Sequence, residues 1–378
     1  MTEQSTPIEE VKNNGTYEDY RLVLPSKLIE EVHLHEGNTI RGKMFAGLGA
    51  FAVTGLVVIG ATFIKAEESK TEFQELVAVV PEVIIENIPQ APLTPNPFET
   101  LTSVQGRAAV VYDVHRDEFL YTKNASTQLP LASLTKLMTG LLASEMLDDE
   151  TRVVITPKAL ATEGDSGLHL HESWRMRDLL NFMMVVSSND GAAALAGAAG
   201  ALLQSTPSVA EELHVQTFVE KMNVRAEELG LSTMRFTNPT GLDTGDYGGL
   251  GTAKEVSKLL THMWREHPET MTFTNEREQV FTSLDGLIHT ARNTNEHVYE
   301  MPGLIGGKTG FTDHAGGNLA VIYDAGFNRP IVIVVLGSTI EGRFSDVKTL
   351  VEVTYEYFSS GWFEYDVAVS GGSTPPMI

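Results

Sequence analysis

A hydroxyl and an amine three residues apart can act as a nucleophile and its base. Ser133-Leu134-Thr135-Lys136 has that spacing. At the start of a predicted helix, positions i and i+3 share one face, so the two side chains meet. A serine hydroxyl attacks poorly until a base takes its proton. Lysine serves as that base once burial and cationic neighbours bring its pKa toward neutrality. The helix N-terminus adds free backbone N–H groups and positive potential beside the serine, which suits an oxyanion. The chemistry this pair offers is acyl transfer through a serine ester.

Alone the pair is a weak signal, since chance supplies about one S-x-x-K in a chain this long. The chain holds a second copy, Ser345-Asp346-Val347-Lys348, inside the last predicted helix with no partner motif; it reads as a solvated helix face. Around the first copy two more motifs follow in order. Ser187-Ser188-Asn189 comes after the apolar stretch LLNFMMVV, and Lys308-Thr309-Gly310 ends the run GLIGGKTG, where a strand is expected to close. Taken singly, the former is an ordinary cap or turn and the latter an ordinary strand end. The glycines of the last motif let a ligand's backbone lie along the strand edge.

The three motifs in this order and context match the active-site signature of penicillin-binding proteins and serine β-lactamases. In detail the sequence resembles the low-molecular-mass penicillin-binding proteins, the serine-type D-alanyl-D-alanine carboxypeptidases, over about 104–360. Besides the three motifs, the resemblance rests on Pro130–Met138, Asp190-Gly-Ala192, Phe236-Thr-Asn-Pro-Thr-Gly-Leu-Asp243, Phe311-Thr312 with Ala315-Gly316, and Gly342-Arg343. Two positions depart from the family pattern without removing a functional side chain: Ser188 stands where Gly is common, and Gly251-Thr252-Ala253 where a serine-type lead-in is common.

The resemblance implies a β-lactamase/transpeptidase-like fold and an activity, removal of the terminal D-Ala from peptidoglycan stem peptides ending in D-Ala-D-Ala, with acylation by β-lactam antibiotics. It implies roles as well. Ser133 is the acylated nucleophile and Lys136 its base. Ser187 relays the proton to the leaving amine, and Asn189 orients Lys136 and the substrate amide. Lys308, Thr309 and Thr312, with Gly310 between them, bind the substrate carboxylate. Arg343, at the end of the last strand, pairs with the free terminal carboxylate. The backbone N–H groups of Ser133 and Phe311 form the oxyanion hole. Neither cofactor nor metal is called for. A transpeptidase or endopeptidase differs only in what attacks or leaves. A class A-like β-lactamase needs a glutamate-activated water, for which Glu227 and Glu228 stand at about the right distance; they read as a polar helix face running into its cap at Gly230. A catalytically silent cell-wall-binding module is the non-enzymatic alternative, and the intact Ser133, Lys136, Ser187, Asn189 and Lys308 argue against it.

These residues need a frame. Strand-like runs at 108–114 and 118–122 open the main fold, and three more, at 303–308, 318–324 and 331–336, come near its end. Helical periods recur between them, at about 177–186, 190–203, 209–229 and 253–266, and a last helix runs from Phe344 to Tyr357. The fold class expected is α/β of the α+β type, an antiparallel sheet flanked by helices with a helical subdomain. His169 and His171 alternate as strand residues do; a His-x-His pair can ligate zinc, but no third ligand stands nearby. Trp174 and Trp264 are expected in packing.

Outside that domain, 44–64 carries no charge and is long enough to cross a bilayer. The organisation expected is a short cytoplasmic segment 1–43, a membrane anchor 44–64, a proline-containing linker 65–100, the catalytic domain 101–363 and a disordered tail 364–378. The positive-inside count is nearly balanced, so orientation is argued from function: one pass of the cell membrane, catalytic domain outside. A net charge of −23 excludes nucleic acid as a partner. With no cysteine, disulfides, thiolate catalysis and iron–sulfur clusters are excluded too.

Overall fold

The structure, a computed structural model, describes residues 9–11, 20–24, 85–87, 91–92, 94–204, 210–245, 247–326 and 328–370. The chain divides into two units. One holds a three-stranded antiparallel sheet of β1 (Glu9–Val11), β2 (Tyr20–Leu24) and β3 (Ile85–Asn87), together with a helix at Trp362–Ser370. That helix occupies the first half of the expected disordered tail and buries Phe363 and Val367. Residues 44–64 lie outside the described residues. Among those described, no helix is long and apolar enough to cross a membrane.

The other unit, Thr94–Ser360, is the expected sheet-and-helix domain. It starts before the expected boundary, because Phe98 is buried against Tyr121 and Tyr357, with ring centroids 5.9 and 5.4 Å away. Its sheet contains β4 (Ala108–Asp113) and β5 (Glu118–Lys123) from the start of the domain. The end of the domain supplies β13 (Leu304–Thr312), β14 (Gly316–Asp324) and β15 (Pro330–Ser338). The order is β13-β14-β15-β4-β5, antiparallel throughout. Register pairs Lys308 with Ala320 and Val334 with Val110. Both faces of the central strands are buried, which is why 331–336 reads as an unbroken apolar run rather than an alternation.

Between the sheet's two halves lies the helical region, with the short strands β6 (Leu129–Pro130), β7 (Arg152–Val154), β8 (Ser173–Arg175), β9 (Arg235–Phe236) and β10 (Gly249–Gly251) among its helices. Its helices are α1 (Thr135–Met146), α2 (Pro157–Leu160), α3 (Met176–Val186), α4 (Asn189–Leu202), α5 (Glu211–Glu228) and α6 (Ala253–Glu266). Thr252, in the departed lead-in, starts α6 through a capping box with Glu255. The helix after the sheet, α7 (Gly342–Ser359), packs on β14 and β15 from one side while α6 packs on them from the other.

Three further expectations change, and one element is new. Lys308-Thr309-Gly310 lies inside β13, not at its end, because three glycines within Gly306–Gly310 weaken the strand signal without ending the ladder. Arg343 sits in the first turn of α7, past the last strand. His169 and His171 lie in a loop, with His171 at φ +63°, so they are not strand residues. A hairpin of β11 (Glu278–Thr282) and β12 (Ile288–Arg292) was unforeseen; its inward face seats His289 against the Glu172 carboxylate at 2.6 Å, beside buried Trp174.

Candidate active site

Ser133 stands in a single 3-10 turn, Ala132–Leu134, that runs directly into α1. Ala132 has φ +48°, a left-handed conformation costing about 1–3 kcal/mol in a residue with a side chain. The surroundings hold the turn. Asn318, fully buried on β14, donates to the carbonyls of Pro130 and Leu131 at 3.0 Å each and accepts from Gly337 N at 2.7 Å. Strand β13 closes on the turn at Gly310. A Cβ there would lie 2.9 Å from Leu131 O and 3.1 Å from Ser133 N, so the glycine serves strand–turn contact more directly than ligand clearance.

Lys136 is fully buried and its Nζ has three neighbours. Asn189 Oδ1 lies at 2.6 Å, the Thr240 carbonyl at 2.7 Å and Ser133 Oγ at 3.1 Å. Burial lowers its pKa to about 7. A neutral amine has two hydrogens, and the two carbonyl oxygens can only accept. The lone pair is thereby left for the Ser133 hydroxyl, which is the arrangement a general base needs.

The two carbonyl-type partners are themselves held. Thr240 lies in a loop where Asn238 Oδ1 accepts from Thr240 N and Gly241 N at 3.1 and 2.8 Å, and Thr139 of α1 donates to Pro239 O at 2.7 Å. Asn189, the first residue of α4, donates its amide N–H to Glu163 O at 2.7 Å, which fixes its oxygen toward Lys136. Ser187 occupies a left-handed position, φ +61°, between α3 and α4. Ser188 caps α4, accepting from Gly191 N at 2.8 Å, so the serine in place of glycine does structural service.

Lys308 is buried, donates to Thr309 O at 3.0 Å, and has its pKa driven well down by burial, with the Lys136 and Arg343 charges adding. The repulsion between the two lysines is mutual, so a charge on either disfavours a charge on the other, and burial is the largest cause at both. Thr309 Oγ1 lies 2.6 Å from Thr294 Oγ1, and Thr312 Oγ1 accepts from Ala315 N at 3.1 Å. Phe311 is exposed, next along β13 after Gly310. Arg343 reaches back from α7 to donate Nη1 to Gly310 O at 2.9 Å, and its Nε is buried without a partner.

The residues singled out elsewhere stay outside the cluster. Ser345 bonds carbonyls of its own helix and Lys348 pairs with Glu300. Glu228 is paired with Lys221 and Arg225 at 3.3 Å each, on α5. His169 and His171 join no group of possible metal ligands among the described residues. Glu145, His262 and His267 do come together, but the Arg225 guanidinium occupies the Glu145 carboxylate at 2.6 Å. Sequence reasoning missed Thr240, Glu163 and Asn318. The quoted 236–243 motif pointed toward the first; the second acts through its backbone, which leaves no side-chain signal.

Residues 94–339 match the family described as D-alanyl-D-alanine carboxypeptidase, and the chain belongs to that family. It is 29% identical over 265 residues to D-alanyl-D-alanine carboxypeptidase DacF of Bacillus subtilis, a match covering 68% of this chain and 64% of that protein. It is 28% identical to a D-alanyl-D-alanine endopeptidase of Escherichia coli, over 61% of this chain and 70% of that one. Penicillin-binding protein D2 of Listeria monocytogenes, solved in a cefotaxime-bound form, superposes with a TM-score of 0.56 at 29% identity, covering 68% of this chain and 99% of that one.

Proposed function

We propose that the protein is a serine-type D-alanyl-D-alanine carboxypeptidase acting on peptidoglycan stem peptides and acylated by β-lactams. The observation that carries this is the Lys136 amine, buried and bound so that its lone pair meets Ser133 Oγ. Ser133 Oγ attacks the carbonyl carbon of the penultimate D-Ala while its proton passes to Lys136 Nζ. The C–N bond to the terminal D-Ala then breaks, and the leaving amine takes that proton, with Ser187 as relay. Water hydrolyses the ester and restores Ser133. Lys308, Thr309, Thr312 and Arg343 receive the terminal carboxylate, whose charge would favour the ammonium form of Lys308. The backbone N–H groups of Ser133 and Phe311 take the oxyanion. The Listeria neighbour's cefotaxime complex supports acylation by β-lactams, and the Escherichia relative's name keeps endopeptidase activity as a second reading.

Mass spectrometry of the full chain mixed with a penicillin should show one adduct, on Ser133. A peptide ending in D-Ala-D-Ala should lose D-Ala, and Ser133→Ala should abolish both. A cross-linked peptide cleaved faster than the linear one would move the assignment to endopeptidase. An adduct on Ser345 would overturn it.

The uncharged run 44–64 supports a further part of the proposal, a single-pass anchor in the cell membrane with the catalytic domain outside. Against it stands the pairing of Tyr20–Leu24 with Ile85–Asn87, because those flanks would lie on opposite sides of a bilayer.

A further inference from the structure

The loop between α2 and β8 (Ser173–Arg175) touches the Ser188–Asp190 segment through Glu163, Gly164 and Ser166. Asn189 Nδ2 donates to Glu163 O at 2.7 Å. Gly164, at φ +98°, approaches so closely that a Cβ would lie 3.1 Å from Asn189 Nδ2. Ser166 Oγ is 2.7 Å from Ser188 Oγ and donates to Asp190 Oδ2 at 3.0 Å, and its backbone N–H reaches the same oxygen at 3.4 Å. The loop itself is tightened by Gly167 N donating to Asp165 Oδ1 at 2.8 Å.

Hydrogen-bond inventory fixes the direction of this chain. The Asp190 carboxylate can only accept, so the Ser166 hydroxyl proton points to it. Ser188 Oγ already accepts from Gly191 N, and its own proton is free for Ser166 Oγ. Ser188 and Asp190 are both almost wholly buried. Burial raises the Asp190 pKa, and the two donors on Ser166 act against that rise. A glycine at position 188, common in the family, would remove the middle link.

We propose that Ser166 is a positioning residue for acylation. Through Ser188 and Asp190 it locks the Glu163–Gly167 turn onto the start of α4, and the locked turn holds the Asn189 amide with its oxygen on Lys136. The proposal rests on the acyl-transfer reading above. Ser166 is half-buried and touches none of the reacting groups, so its effect must pass through Asn189.

The test measures the second-order rate of acylation by a fluorescent penicillin on the full chain. The variants are wild type, Ser166→Ala, Ser166→Thr, Asn189→Ala and the Ser166→Ala/Asn189→Ala double. Ser166→Ala should slow acylation about tenfold, and Ser166→Thr, which keeps the hydroxyl, should recover most of the rate. In the Asn189→Ala background, Ser166→Ala should change the rate by less than about twofold. Equal losses in the two backgrounds would overturn the proposal, as would an undiminished rate in Ser166→Ala or a Thr variant as slow as Ala. If the wild type takes no label, the acyl-transfer reading fails and this proposal with it. Labelling of the wild type with equal losses removes this proposal alone.

Discussion

Of the three contacts at Lys136 Nζ, the longest is the one to the nucleophile, and the two shorter ones explain why. They consume the hydrogens of a neutral amine, leaving only its lone pair to face Ser133. The state that works is therefore unprotonated, and burial brings the pKa to about 7. The sign follows directly: the fraction of competent base rises as pH rises through 7 and is lost below it. Pseudo-first-order labelling by a fluorescent penicillin, followed from pH 5.5 to 9, should climb about tenfold per pH unit at the acid end and level above neutrality. A rate independent of pH across that span would show that Lys136 is not the base. Lys136→Arg, which stays protonated throughout, should give no label at any of these pH values.

At the scale of elements, the nucleophile is held by what presses on its turn rather than by the turn's own bonds. Asn318 does most of this from β14, serving two carbonyls of the 130–131 segment and the Gly337 N–H together. Asn318→Leu removes the side-chain partner of Pro130 O and Gly337 N, while Leu131 O keeps Leu134 N at 3.1 Å, and should cost about 2 kcal/mol or more. Urea denaturation should show the lower midpoint, with acylation slowed further than the stability loss explains. A wild-type midpoint would mean that the turn is held from elsewhere. This element also marks where the sequence was readable. The Ser133–Lys136 contact follows from helical spacing alone, and the helices from 176 to 266 follow from their apolar period. Partnerships such as Asn318 with Pro130 join residues 188 apart and leave no local pattern. Thr240 and Glu163 act through carbonyls, which every residue has. The β11–β12 hairpin did carry a signal, Asp285-Gly286 between alternating strands, of the kind that marks a tight turn.

At the scale of the whole molecule, two features of the chain outside Thr94–Ser360 pull in different directions. The uncharged run 44–64 has the length and composition of a bilayer span. The β1–β2–β3 sheet joins segments from both sides of that run. One or the other governs in the cell, because a strand pair cannot form through a membrane that separates its strands. The charge flanking 44–64 is nearly even, Arg41 and Lys43 before it and Lys65 and Lys70 after it. The distribution of basic residues therefore does not choose an orientation. The proposed substrate does, since peptidoglycan lies outside the membrane. Protease added to intact cells should release a fragment that still takes penicillin label, while an epitope placed before residue 20 stays protected. If the epitope and the catalytic domain are both digested, or both protected, the two flanks lie on one side, and the paired strands rather than the span describe this part of the chain.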